Sequence, residues 1–573
     1  MFDRIVRFSV YRPGLAFLGA FLLLLGSILA FRGLAIDAVP DISNVQVQIL
    51  TRAGSMDGET IEANITYPIE SAMGAVPNVK EVRSVTRFGL SAITVVFEEG
   101  ADIYRARQLV SEQLQTVDLD AKPRLGPIAT GLGEIYHYSL DVKNPSEDPQ
   151  TRLKQLMRLR TVQEWDVKRR LLSVAGVAEV NTIGGFPEVY FVKPSLQKMA
   201  AHGVHFDEIE KALAENNRNA GGGYIQQDAD QIIVQGKGLF RSVEEIRSLP
   251  VKQLPDLTTL RIGDLAIVGQ DREIRTGAAV INGRQAVLGT VFMLLGENSR
   301  TVSQRVDARV QEIQQTLPDD IVLKPLYDRS YLVDGTIETV RENLIYGALL
   351  VVVVLLLLTG NIRAALIAAA VIPLSMAATL LLMYVTGLSA NLMSLGALDF
   401  GIIIDGAVIV VDRCAAIVSR RSRESGRTLQ RWEIKDAVAD ATVEIRRAAG
   451  FGQIIILMVF LPLFALTGIE GKMFRPMAGA FCFALLSAFI LAFTVVPALA
   501  GLLLRSRGGQ RSPIMDWIDS RYSVVIAFFL QRRWWVLGAS ILLLLTGSLT
   551  FFRLGGEFIP QLYERAIAMQ MIR

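Results

Sequence analysis

Long apolar runs separated by stretches of ordinary soluble composition organise this chain. A bilayer core asks for about 20 consecutive apolar residues in a helix. The first such run covers 13–31 and follows Arg4, Arg7 and Arg12. It is long for a signal-peptide core, and no small-x-small cleavage site follows it, so it predicts an uncleaved span. A long stretch without a membrane-length run comes next, from 33 to 341. Further spans are predicted near 344–358, 364–385, 390–411, 448–467, 474–504 and 535–552, seven in all. Pro373, Pro462 and Pro497 fall inside them and predict kinks.

The stretch between the first two spans changes period. Strand-like alternation at 45–51, a helical pattern at 57–74, strands at 79–86 and 91–98 and a helix at 103–117 follow one another. That order is a split βαβ, ferredoxin-like unit. A related pattern recurs as a helix over 156–172, strands at 177–182 and 188–192, and a helix from Phe206. The phrases AVPNVKEVRS (75–84) and SVAGVAEVNT (173–182) align across the two copies, which predicts an internal duplication. The expected fold class is an α-helical polytopic membrane protein with a large α+β insert of ferredoxin-like subdomains. Within the insert, NAGGGY (219–224) sets Gly221, Gly222, Gly223 and Tyr224 between polar segments. Glycine tolerates backbone angles that other residues resist, so a tight loop or protruding hairpin is expected, serving as a structural loop or a docking surface. No Lys-Ser/Thr pair and no following helix supports a phosphate cradle.

Composition agrees with this division. The 573 residues are 51% hydrophobic and 20% charged, and a net charge of +3 is too small to argue for nucleic acid. Placement matters more. Arg413, Arg420, Arg421, Arg423 and Arg427 follow the fourth span, Arg505, Arg507 and Arg511 the sixth, and Arg532 and Arg533 precede the seventh. With the basic N-terminus, all lie on one side if that terminus is cytoplasmic, which puts the insert in a periplasm. Between the last two spans, 513–531 mixes Trp517, Ile518, Tyr522 and Phe528 with charges; it reads either as an amphipathic surface helix or as a plain connector. Cys414 and Cys482 form no zinc or disulfide pattern, and His137, His202 and His205 form no ligand cluster.

Chemistry concentrates in the fourth span, where LMSLGALDFGIIIDGAVIVVD (392–412) carries Asp399, Asp405 and Asp412. An aspartate at a helix centre costs about 2.5–3.5 kcal/mol on insertion scales. Such a cost is tolerated where the face is buried in protein or lines a wet cavity. At about 100° per residue, Asp405 and Asp412 fall within roughly 20° of each other, and Asp399 lies about 120° from Asp405. Desolvation favours the protonated form of an unpaired carboxyl, so the ladder suits a reversible proton carrier. Asp412, beside Arg413 at the cytoplasmic edge, also reads as an interfacial charge. Gly396, Gly401 and Gly406 recur at fivefold spacing, which fits close helix packing and fits helix motion equally.

With these residues in hand, the chain resembles the resistance-nodulation-division (RND) permeases. The opening stretch 2–41, ending in AIDAVPDIS, and the segment 216–224 are similar to that superfamily. GALDFGIIIDGAVIVVD (396–412) resembles its heavy-metal efflux branch, whereas the drug-efflux branch has two adjacent aspartates. The resemblance implies proton-driven export of metal cations from the cell inner membrane, with protons carried at Asp399, Asp405 and Asp412. It implies no cofactor beyond the transported cation and protons. It also implies a homotrimer docked to a periplasmic adaptor (membrane fusion) protein and an outer-membrane channel, set in membrane lipid and touching no nucleic acid. The family's Glu is Asp412 here and its following Asn is Arg413. Family members have twelve spans and two inserts, so this chain corresponds to an N-terminal half and is expected to be inactive alone. The basic partner of the acidic span lies in the other half. Expected domains are 1–32 with the first span, 33–341 as the periplasmic pore and docking domain (docking part about 184–272), and 342–504 with spans two to six. After them come 505–534 as a cytoplasmic amphipathic helix, 535–553 as the seventh span and 554–573 opening a second periplasmic domain. Met293, Met569 and Met571 could bind a soft metal, with core filling as the default.

Overall fold

A computed structural model describes residues 2–34, 36–37, 40–119, 121–227, 230–254, 257–273, 275, 277–396, 400–505, 513–553 and 569. The chain divides into two compact units. One takes Met1–Ile135, Met293–Gln304 and Asp328–Arg573; the other takes Tyr136–Phe292 and Arg305–Tyr327.

In the first unit, strands Val79–Arg87, Leu90–Phe97, Gln46–Arg52 and Arg124–Leu125 lie side by side in that order, every pair antiparallel. Numbered along the chain this is second-third-first-fourth, the ferredoxin-like order. Alternation turns Val47, Ile49, Ile93 and Val95 to one face, where Ile61, Ile65, Ile69 and Val110 of the helices cover them. Asp57 and Asp102 cap those helices, accepting from the Thr60 N–H and from the Tyr104 and Arg105 N–H groups. The first helix widens into a π turn at Glu62–Thr66, and Thr66 reaches Thr86 and Ser91 on the sheet, each at 2.8 Å.

The second unit repeats the plan. Strands Ile321–Asp328, Glu134–Val142 and Arg284–Met293 are neighbours, and Val177–Gly184 pairs with the far side of Arg284–Met293. This is again fourth-first-third-second. A π turn recurs at Gln163–Val167, where Gln163 reaches Tyr138 and Thr182 on the sheet. The third strand of this copy is not the expected 188–192. Glu188–Pro194 pairs antiparallel with Ala266–Arg272 in a separate sheet, over a core that includes Met199, Ile209, Ile246 and Leu265. An extra subdomain is thus inserted between the second and third strands of the copy. Alternation alone cannot distinguish a strand of the repeat from the first strand of an insertion.

Seven helices among the described residues are long and apolar enough to cross a membrane: Pro13–Phe31, Arg329–Leu357, Ile362–Thr386, Met393–Ser425, Arg431–Ala465, Gly468–Leu503 and Arg533–Phe551. Several reach beyond their apolar cores. The second begins at Arg329 and the fifth at Arg431, both well before the apolar residues that signal them. The fourth does not begin at 390, because Ala390–Asn391 forms a short parallel pairing with Ile36–Asp37. Pro373 follows a break at Ala370, and Pro462 falls where Arg431–Phe460 tightens into a 3₁₀ turn. Pro497 is accommodated inside Gly468–Leu503.

Candidate functional site

The helix Phe400–Ser425 has two faces. Ile403, Ile404, Ala407, Val410, Val411, Cys414, Ile417 and Val418 are buried in the helical core. Gly401, Asp405, Ile409, Asp412, Ala416 and Arg420 are exposed on the other side. Asp405 and Asp412 therefore share the outward face, about 10 Å apart along the axis at 1.5 Å per residue. The described side chains that pack the helix leave that face open. Asp399 lies outside the described residues.

The basic residues around the acids are engaged elsewhere. Arg413 donates to Glu444 at 2.5 Å, Arg421 to Asp440 at 2.9 Å and Arg427 to Glu433 at 2.6 Å. These pairs fasten the C-terminal half of the acidic helix and the turn after it to Arg431–Phe460. The Arg413 guanidinium is thereby turned to the neighbouring helix rather than to Asp412. The fifth spanning helix starts earlier than its expected apolar run and takes in Arg446, which pairs with Asp3.

The three glycines separate by environment. Gly396 and Gly401 are exposed, whereas Gly406 is buried beneath the fifth and sixth spans. A Cβ at Gly406 would stand 3.1 Å from Gln453 Nε2 and 3.9 Å from Ala492 Cβ, so glycine lets the Gln453 amide lie against the helix. Gly221, Gly222, Gly223 and Tyr224 fall on the strand Ala220–Gln227, which pairs with Asp230–Gly236 in a hairpin whose described residues are all exposed. Two residues, Gly222 and Gly223, oppose Val234 alone. Gly223 takes φ +75°, and a Cβ on Gly222 would lie 2.6 Å from Val234 Cγ1. The run makes a β-bulge in an arm, not a loop.

Other candidates are structural. The His137 Nδ1 lies 3.2 Å from the Thr290 hydroxyl, and the ring meets Tyr327 edge-on. Among the described residues, no group of three or more His, Cys, Asp or Glu side chains is placed to hold a metal ion. Met293 lines a cavity of about 20 Å³ with Asp37, Asp41 and Arg329, room for one water; Met569 is exposed and Met571 lies outside the described residues. Sequence reasoning missed the pair beside that cavity. Arg329, 6% exposed, donates to Asp37 at 3.0 Å and to the Leu132 carbonyl at 3.0 Å, joining the exit of the first span to the start of the second. The only available signal was an aspartate just past one span and an arginine ahead of another.

The sequence profile described as the AcrB/AcrD/AcrF family matches residues 5–573. The chain belongs to this family of RND permeases. It is 43% identical over 578 residues to the cation efflux system protein CzcA of Alcaligenes sp. (strain CT14), covering 100% of this chain and 54% of that protein. To the cation efflux system protein CusA of Escherichia coli (strain K12) it is 31% identical over 577 residues, covering 98% and 54%. A crystal structure titled as a heavy metal efflux pump, crystal form II, matches with a TM-score of 0.80 at 33% identity, covering 94% of this chain and 51% of that one. The permease chain thus spans about half the length of the relatives it matches. RND permeases are secondary transporters rather than enzymes.

Proposed function

We propose that this permease chain works within a proton-driven exporter of heavy-metal cations, with Asp405 as the central proton carrier. The observation that carries the reading is the outward face of Phe400–Ser425. Asp405 and Asp412 stand there together, without an ion-pair partner among the described residues, on a helix long and apolar enough to span a membrane. A carboxylate pair exposed at such a level needs either a wet path or a basic partner from further protein. Relatives named as cation efflux proteins support metal cations as cargo.

The finer reading follows the family. Asp399 and Asp412 flank Asp405 in the relay, the N-terminus is cytoplasmic, and the sheet-bearing part is periplasmic in an inner-membrane protein. The docking part covers about 184–272 of a protein that works as a trimer, and its hairpin with Gly221, Gly222, Gly223 and Tyr224 is a docking surface. An adaptor protein and an outer-membrane channel complete the path. The exposed Tyr224, Ile225, Ile232 and Ile233 of the hairpin support a protein contact there. The test is metal tolerance of a sensitive host expressing the protein at the full length of its relatives. Wild type should raise tolerance to divalent or monovalent heavy-metal salts, and Asp405→Asn should remove the gain. Tolerance to organic toxicants instead of metals would move the reading to a drug exporter on the same scaffold.

A further inference from the structure

The N-terminal residues, expected only to orient the first span, form a helix of their own, Phe2–Tyr11. Its inward side is specified in detail. Val6 and Val10 are fully buried, Ser9 nearly so, and a Cβ on Gly501 of the sixth span would stand 3.6 Å from Val10 Cγ1. Asp3 pairs with Arg446, Arg7 with Asp440 at 3.2 Å, and the Tyr11 hydroxyl donates to Asp436, all on the fifth span's helix. The outward side carries Arg4, Ile5, Phe8 and Arg12, all exposed. The helix and its following residue bear four charged side chains besides the terminus. The acid and one arginine face the protein; the two remaining arginines face away and have no carboxylate partner among the described residues. Arg12 lies over the Phe8 ring at 5.8 Å, which holds its guanidinium beside the apolar pair.

We infer that this outward face binds the headgroups of anionic phospholipids. Pro13 opens the first span directly after Arg12, so the helix lies at the level where that span enters the headgroup layer. The span that follows presents exposed Leu15, Leu18, Leu22, Leu25 and Leu29 at helical spacing, an apolar face suited to acyl chains. Exposed apolar residues of the span thus lead in the chain directly from a mixed cationic-apolar helix face of Arg4, Ile5 and Phe8, with Arg12 at the junction. Charge complementarity selects an anionic headgroup over a zwitterionic one. Lipid held there also braces the acidic helix, because Asp440 accepts from both Arg7 and Arg421 and so ties Phe2–Tyr11 to Phe400–Ser425.

The test needs no transport assay, so its outcome is separate from that of the proposed function. The purified chain in a neutral detergent is titrated with phosphatidylglycerol or phosphatidylcholine, and bound lipid is read by native mass spectrometry and by the melting midpoint. Wild type should retain phosphatidylglycerol at least threefold over phosphatidylcholine and melt higher with it. Arg4→Gln/Arg12→Gln should lose the preference, and Arg4→Lys/Arg12→Lys should keep most of it. Equal retention of the two lipids by wild type overturns the inference whether or not the variant folds. So does a phosphatidylglycerol preference that survives in a folded Arg4→Gln/Arg12→Gln chain. Concentration-dependent self-association that the same substitutions abolish would assign the face to a second copy instead.

Discussion

Gln163 shows how single residues shape this molecule. It is fully buried at a π turn, donates to the Tyr138 hydroxyl at 2.8 Å and to Thr182 at 3.3 Å, and accepts from Tyr138 at 3.1 Å. Burial holds the Tyr138 phenol well above its ordinary range, so the hydroxyl stays protonated and requires a partner. Gln163→Ala should leave that hydroxyl unmet and lower stability by about 1–3 kcal/mol for the lost partner alone, with a cavity adding to it; denaturant melts of the purified chain measure this. Next to it, burial pushes the Glu164 carboxyl up, but the Thr182 hydroxyl, Lys168 and Arg160 outweigh that and hold it below its ordinary value of 4.5. A depressed folded-state pKa stabilises fully above the unfolded value, and the stabilisation is lost as pH falls through the folded one. The melting midpoint should thus decline as pH drops below about 4.5, and Glu164→Gln should flatten part of that decline. In the membrane helices, Gly406→Leu should fail where Gly406→Ala succeeds. The first methyl meets only the flexible end of Gln453, while the larger side chain costs about 1–3 kcal/mol by overpacking, read as a drop in melting midpoint.

At the scale of elements, legibility followed periodicity. The strands and helices of the first ferredoxin-like copy sit within a few residues of their alternation, because each sheet is covered by helices on one face and must read apolar every second residue. The second copy was legible as a repeat but not in its connectivity, since nothing local marks 188–194 as the start of an inserted subdomain. The amphipathic helix Phe2–Tyr11 and the charged opening turns of Arg431–Phe460 were hidden for a related reason. Their apolar stripes are narrow, and several of their charges pair with residues far away in the chain, as Arg7 does with Asp440 and Glu444 with Arg413. The glycine run was legible as a backbone exception, yet only pairing distances distinguish a bulged arm from a loop. That arm can be probed directly. Gly223→Val puts a branched side chain at φ +75°, which is strained whatever space is available. Hydrogen exchange should show the amides of 220–236 losing protection, while Glu188–Pro194 and Ala266–Arg272 keep theirs. Equal loss in both sheets would mean that the arm is integral to the subdomain core.

For the whole molecule, the arrangement of the acids bears on how a complete permease would work. Asp405 and Asp412 share an open face, but their surroundings differ. Asp412 is next to Arg413, which with Arg421 fastens the C-terminal half of the helix to Glu444 and Asp440, whereas Asp405 sits two turns further from that fastened part, where buried Ile403, Ile404 and Gly406 flank it. A carboxyl near the fastened end can exchange protons with water at the membrane surface. A deeper one must hand its proton on, so it is the harder to replace. Sequence pattern identified these acids through their cost in an apolar span, but it could not show that the neighbouring arginines are held by other acids. The consequence is testable with the protein at the full length of its relatives, reconstituted in vesicles under an imposed pH gradient, with metal flux as the readout. Asp405→Asn should cut flux at least tenfold, which corresponds to about 1.4 kcal/mol or more on the rate-limiting step. Asp412→Asn should leave an intermediate rate, and Asp412→Glu should stay near wild type because the carboxyl is kept and only its reach changes. Arg413→Asn frees Glu444 and loosens the helix end without touching Asp405, so it should lower the melting midpoint more than the flux. If Asp412→Asn abolished transport while Asp405→Asn retained it, the deep carboxyl would not be the carrier, and the proton path would have to run along another face of the helix.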